Sequence, residues 1–156
     1  MPVLPALPFV EEPATTHRAT GAHLGAYAHR VLGDAGALTQ YGVLIERLPP
    51  GSTSSVRHWH ETEDEFLYML SGEAILYEDA GETLLRPGDA AAWPAGAPNA
   101  HCLENRSATD ATYLIVGTRN RHDTVHYPDH DRIVRIDRKT GSRRVTDSSG
   151  KPVDAY

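Results

Sequence analysis

His58-Trp59-His60-Glu61-Thr62-Glu63-Asp64-Glu65 is the stretch on which the fold and the chemistry of this chain turn. Side chains alternate sides along a strand, so two histidines one residue apart share a face if the segment is extended. A short acidic turn then brings Glu65 back to that face at the head of an apolar run, Glu65-Phe66-Leu67-Tyr68-Met69-Leu70. His101 lies far downstream, just past the Pro/Gly-rich segment Pro94-Ala95-Gly96-Ala97-Pro98. Three imidazoles and one carboxylate suit a single divalent first-row transition metal: Zn, Fe, Mn or Ni.

Working outward, the pattern is β throughout. Strands are expected at residues 41–48, 55–60, 65–70, 74–77, 82–85, 90–93, 101–105 and 112–117, each stopped by glycine or proline signals such as Pro49-Pro50-Gly51 and Arg86-Pro87-Gly88-Asp89. Short strands at even spacing with no long helical period predict an all-β fold, a sandwich or a closed antiparallel barrel over residues 40–117. Residues 1–39 read as an N-terminal arm and residues 118–156 as a C-terminal extension. The extension carries one hairpin, Arg132–Ile136 against Arg143–Thr146, turning at Lys139-Thr140-Gly141.

The chain has 156 residues, 40% hydrophobic and 23% charged, which fits one domain with a sizeable core. No apolar run approaches the roughly 20 residues that cross a bilayer, so no membrane partner is expected. The start has no basic n-region and too many prolines for a signal peptide. A lone cysteine, Cys102, excludes a disulfide framework and suits a reducing cytoplasm. Residues 1–118 carry 6 Lys/Arg against 15 Asp/Glu, whereas residues 119–156 carry 9 against 6. An acidic body argues against nucleic acid as a partner, and the basic tail reads as a solvated surface hairpin.

These residues resemble the cupin superfamily, small double-stranded β-helix (jelly-roll) barrels. Gly51, His58-x-His60, Glu65 and Gly72 follow the family's first motif in order, with one extra residue between Gly51 and His58. Gly88-Asp89, Pro94-Ala95-Gly96, His101 and Asn105 follow the second. The usual third histidine position is held by Asn99, and His101 comes two residues later, on the same face of a strand. The tail text His126-Tyr127-Pro128-Asp129-His130-Asp131 is similar to a group of small single-domain bacterial cupins, some of which carry the label sugar-phosphate isomerase. The resemblance implies a jelly-roll barrel, with arm and hairpin packed outside, and a metal site. It implies no reaction, because one barrel hosts many chemistries.

The expected metal ligands are therefore His58, His60, Glu65 and His101, with Asn99 as rival to His101 or as a substrate contact. Leu67 and Met69 share the face of Glu65 and are expected to line the barrel beyond the metal. Tyr77, Tyr41 and Arg47 are the candidates for a polar or acid–base group beside it. Phe66, Tyr68 and Leu70 face the other way, and an apolar outer face on a small barrel predicts a homodimer. Trp59 is expected to point outward and Cys102 to be an inert thiol. Glu61, Glu63 and Asp64 are read as solvated turn carboxylates, and His17, His23, His29, His122, His126 and His130 as surface residues. No Walker loop, dinucleotide-binding glycine motif, G-x-S-x-G or CxxC pair is present. The expected activity is a metalloenzyme of isomerase, lyase or dioxygenase type acting on a small polar or anionic molecule. The alternative is a non-catalytic small-molecule binding or sensing module in which the metal is structural or absent.

Overall fold

The computed structural model describes residues 3–154; the outermost residues of the expected arm and tail, 1–2 and 155–156, lie outside the described residues. The strands are β1 (Val10–Thr16), β2 (His23–Val31), β3 (Tyr41–Leu48), β4 (Trp59–His60), β5 (Glu65–Ser71), β6 (Ala74–Glu78), β7 (Gly81–Leu85), β8 (Ala90–Trp93), β9 (Cys102–Glu104), β10 (Ala111–Thr118), β11 (His122–Tyr127), β12 (Arg132–Asp137) and β13 (Ser142–Thr146). They form a six-stranded sheet in the order β1-β2-β3-β10-β5-β8, a three-stranded sheet β7-β6-β9 and a four-stranded sheet β13-β12-β11-β4. This is a jelly-roll sandwich. Hydrogen bonding does not run unbroken around it, so the expected closed barrel is open between sheets. The isolated bridges Thr53↔Glu104 and His58↔His101 stitch one gap.

The expected arm packs outside the core as a hairpin. β1 pairs with β2, and β2 with β3, so the exposed edge of β3 is covered by the chain's own terminus. The C-terminal hairpin β12–β13 likewise adds to β11, whose other neighbour is β4. β11 had no strand signal in the sequence, and the segment before Trp59 is a series of bends where a full strand was expected. Among the described residues no helix is long and apolar enough to cross a membrane.

Antiparallel register places directly paired residues on one face, which makes the inner wall of the large sheet a set of rows. The top row is Trp93, Glu65, Gly117 and Gly42. The second is Ala91, Leu67, Ile115 and Leu44. The third is Met69, Tyr113, Glu46 and His29. Leu48, Leu67, Met69, Leu76, Leu85, Leu103 and Tyr113 are all buried and form the main core between this sheet and β6–β7–β9. A smaller core of Ala19, Val125 and Val134 holds the C-terminal sheet.

The outer face of the same sheet is apolar across four strands. Val43 and Ile45 neighbour Val116 and Leu114, which neighbour Phe66 and Tyr68, which neighbour Ala92 and Ala90. Phe66, Tyr68 and Leu70 are 40%, 40% and 43% exposed. At the β5–β6 turn, Gly72 has a φ of +70°, and a Cβ there would lie 2.1 Å from the Asp110 carbonyl oxygen. Only glycine lets these two backbones approach so closely.

Candidate metal centre

Three segments bring the ligand candidates together. His58 comes from the bridge just before β4, His60 from β4 itself, Glu65 from the start of β5, and His101 from the bridge before β9. The three ring Nε2 atoms converge on one oxygen, Glu65 Oε2, at 4.0 Å for His58, 3.7 Å for His60 and 2.8 Å for His101. His58, His60 and Glu65 offer ligand atoms within 4.8 Å of one another. His101 joins them by its hydrogen bond to the carboxylate.

Each ring is held by its other nitrogen. Nδ1 of His58 bonds to the Val56 carbonyl oxygen at 2.9 Å, Nδ1 of His101 to that of Asn99 at 3.2 Å, and Nδ1 of His60 to Asp123 Oδ2 at 2.6 Å. For His58 and His60, donation from Nδ1 fixes the tautomer that aims the Nε2 lone pair inward, the arrangement that metal-ligating histidines use, while His101 Nε2 donates to the Glu65 carboxylate. The ring of Trp93 stacks on His101 with centroids 3.7 Å apart and only 7° between planes. Its Nε1 donates to Glu78 Oε1 at 2.7 Å.

The electrostatics follow from crowding in a half-dry pocket. Burial disfavours the charged form of His58, and its neighbours His60 and His101 add to this; the Glu65 charge only partly offsets them, leaving His58 at about 4. Burial acts against the Glu65 carboxylate too. The His101 hydrogen bond and the three imidazoles outweigh it and bring Glu65 down to about 2. Burial also opposes charge on His60, yet the Asp123 hydrogen bond and the carboxylates of Glu65 and Asp123 leave it above its ordinary value.

A divalent transition ion fits this donor set. Two ligands at about 2.1 Å from one ion and at right angles are about 3 Å apart, and opposite ligands about 4.2 Å. The three separations to Glu65 Oε2 fall within or close to that range. A second group, His60, Glu63 and Asp123, also lies close together. Its carboxylates are committed elsewhere. Asp123 accepts from His60 and from the Thr62 amide and hydroxyl. Glu63 is 5% exposed and accepts a two-pronged ion pair from Arg138, at 2.9 and 2.6 Å, and the Asn120 amide. The expectation that Glu63 is a solvated turn carboxylate is thereby corrected.

The imidazoles open into a cavity of about 390 Å³. Leu67 lines it, with Leu44, Ile115 and Leu76 as a waist. At the floor, the Tyr113 hydroxyl donates to Glu46 Oε2 at 2.6 Å. Burial raises the Glu46 carboxyl above its ordinary range despite this bond, and burial together with the Glu46 charge pushes Tyr113 well up. His29 stands opposite Glu46, its Nδ1 buried with no hydrogen-bond partner among the described residues. At the rim lie Arg119 and Arg138.

Several expectations need correction. Arg47 and Tyr77 fall on the outer faces of β3 and β6, because Glu46 and Leu76 beside them face in. Arg47 pairs with Glu11 at 2.5 Å, and the Tyr77 hydroxyl donates to Glu104. Asn99 does not join the imidazoles. Its Nδ2 donates to Glu78 at 2.8 Å and its Oδ1 accepts from the Asp79 amide. Met69 is completely buried below the cavity, packed in the core. Tyr41 sits 47% exposed over an outer hollow with Phe66. His29 faces inward. Trp59 does point outward, stacked on His126 at 4.1 Å. Glu46 and Tyr113 were legible in principle: Glu46 is the one charged residue at an inward position of the alternating run 41–48. Asp123 and Arg138 carried no such signal.

The Cupin domain family matches residues 44–117. The chain is similar to a crystal structure from Silicibacter pomeroyi described as a sugar phosphate isomerase from a cupin superfamily, 38% identical over 96% of both chains with a TM-score of 0.81. A second, from Thermotoga maritima, is described as a predicted oxalate decarboxylase; it is 25% identical, covers 76% of this chain and 99% of its own, and has a TM-score of 0.58. An oxalate-binding protein of the same organism is 34% identical over 70 residues, 45% of this chain. The match spans about half, 55%, of that relative's length.

Proposed function

This chain belongs to the cupin superfamily, and within that family we propose that it is a metal-dependent enzyme acting on a small polar or anionic molecule. His58, His60, Glu65 and His101 would hold one divalent transition ion. Such an ion supplies Lewis-acid polarisation of a bound oxygen. The protein's own groups do the rest. Asp123, Val56 and Asn99 orient the rings. The waist of Leu44, Leu67 and Ile115 limits water. The Glu46 carboxyl and Tyr113 hydroxyl offer a donor–acceptor pair at the floor for a hydroxyl or carbonyl of the ligand.

The observation that carries the enzyme reading is this second polar group inside the same cavity as the imidazoles. A carboxyl whose burial favours its neutral form, hydrogen-bonded to a hydroxyl, is a candidate to give and take a proton. The isomerase description of the Silicibacter pomeroyi relative supports an isomerase over a lyase or dioxygenase. The oxalate-binding relative favours one other reading, a binding cupin without turnover. The test is metal analysis by mass spectrometry, followed by nuclear magnetic resonance of the metal-loaded protein with sugar phosphates and small carboxylates. Turnover lost in Glu46→Gln, with metal content retained, is the expected result. Saturable binding with no turnover of any compound decides for the binding cupin, and a protein that takes up no metal overturns the enzyme reading.

The same reading extends to assembly. A second copy would cover the apolar outer face around Phe66 and Tyr68, as self-complementary two-fold interfaces do.

A further inference from the structure

Two glycines stand directly across from Glu65 in the top row of the inner wall, Gly117 and then Gly42. Every other inward position of those strands within the cavity carries a side chain. The missing side chains leave an opening beside the Glu65 carboxylate. A Cβ on Gly42 would lie 3.3 Å from Arg119 Nε and 3.6 Å from its Nη2, so the guanidinium lies over the bare backbone at the end of this opening.

Arg119 is not alone there. Arg138 lines the same cavity, and an adjoining groove is shared by Arg119, Arg138 and Arg143. Two carboxylates are ion-paired with these three cations. Asp34 takes Arg119 Nη1 at 2.6 Å, and Glu63 takes Nε and Nη2 of Arg138. That leaves Nε and Nη2 of Arg119, Nη1 of Arg138 and the whole Arg143 guanidinium without an ion-pair or hydrogen-bond partner among the described residues. All three arginines come from the basic segment after residue 118. Arg143 pairs with Ile136 and so stands on the face of the C-terminal sheet that turns toward the core. In a chain of net charge −6 this is a cluster of guanidinium donors at the entrance to the site.

We propose that the basic segment after residue 118 forms the oxyanion-recognition wall of the cavity: Arg119, Arg138 and Arg143 hold the phosphate or carboxylate end of a ligand whose other end passes the Gly42–Gly117 opening toward Glu65. The proposal rests on the metal-cavity reading for the second half of that sentence, and it narrows the ligand to an anion. Guanidinium forks suit both phosphate and carboxylate oxygens. Glu63 is the brace that keeps Arg138 in place, a positioning residue.

The test uses the full chain stripped of metal, at low ionic strength, titrated calorimetrically with inorganic phosphate and, in parallel, with malonate. Binding is expected without metal. Arg143→Gln and Arg119→Gln should each weaken it about tenfold, the size of one charge-assisted hydrogen bond. Arg86→Gln, which removes the same charge from the β7–β8 turn, should leave it unchanged. Arg143 is exposed, so its variant keeps the test meaningful if Arg138→Gln, which strands buried Glu63, fails to fold. Phosphate binding without malonate binding assigns the wall to phosphate esters, and the reverse assigns it to carboxylates. Equal affinity in wild type and all arginine variants, or no binding of either anion, overturns the proposal. Arginine-dependent binding in a protein that never takes up metal sustains the anion wall while removing the metal centre. Binding that appears only with metal and ignores the arginines does the opposite.

Discussion

Asp123 lies outside the ligand set, yet its hydrogen bond fixes which nitrogen of His60 faces the centre. Asp123→Asn is expected to lower metal affinity about 10–100-fold, the usual cost of losing such a support, as measured by competition with a chelator. Asn99→Ala should leave metal affinity unchanged, because its side chain bonds to Glu78 and Asp79. If the two outcomes exchanged places, Asn99 would be the fourth ligand. Glu46 gives a pH signature. Its folded pKa is raised, so the native state holds a proton that the unfolded chain has already released, and stability falls as pH rises from the ordinary value of 4.5 toward the raised one. Glu46→Gln has no such proton. Its melting temperature relative to wild type should therefore climb across that window, and a constant difference would refute the assignment. At this scale the sequence showed the ligands, because His-x-His and Glu65 sit in local, alternating patterns. It hid Asp123 and Arg138, because their partners lie 63 and 75 residues away. Arg47 and Tyr77 were misplaced by ignoring that Glu46 and Leu76 beside them set the inward parity.

Strands 65–71 and 111–118 were legible because β-branched and aromatic residues alternate between two faces, one lined by the core and one apolar but open. β11 was not, since His122-Asp123-Thr124-Val125-His126-Tyr127 owes its extended form to partners on both sides. The open face of β5 has a consequence that can be measured. Tyr68→Glu places a charge at the centre of the Phe66–Tyr68–Leu114 surface. Wild type should scatter light as twice the chain mass of 17.1 kDa, and this variant as one chain. A wild-type protein that is monomeric at micromolar concentration would show that the face stays open to water.

For the molecule as a whole, fold class followed from strand spacing and glycine punctuation, whereas the role of the termini could not be read from composition alone. β1–β2 has no strong periodicity and becomes sheet by pairing with the edge of β3, whereas the β12–β13 hairpin was legible from its turn at Lys139-Thr140-Gly141 but not the β11 edge it adds to. Sheet order carries a final implication. β10 lies between β3 and β5, although about sixty residues separate it from β3 in the chain. As the polypeptide leaves the ribosome, both neighbours emerge with bare edges and wait for a partner that is still being translated. The large sheet is thus assembled by late insertion of its middle strand, with its contacts dominated by residues distant in sequence, which makes for slow folding. Nascent chains halted before residue 111 should sediment with aggregates, and chains released after residue 118 should stay in the supernatant. Fractionating a stalled-translation series would locate the boundary.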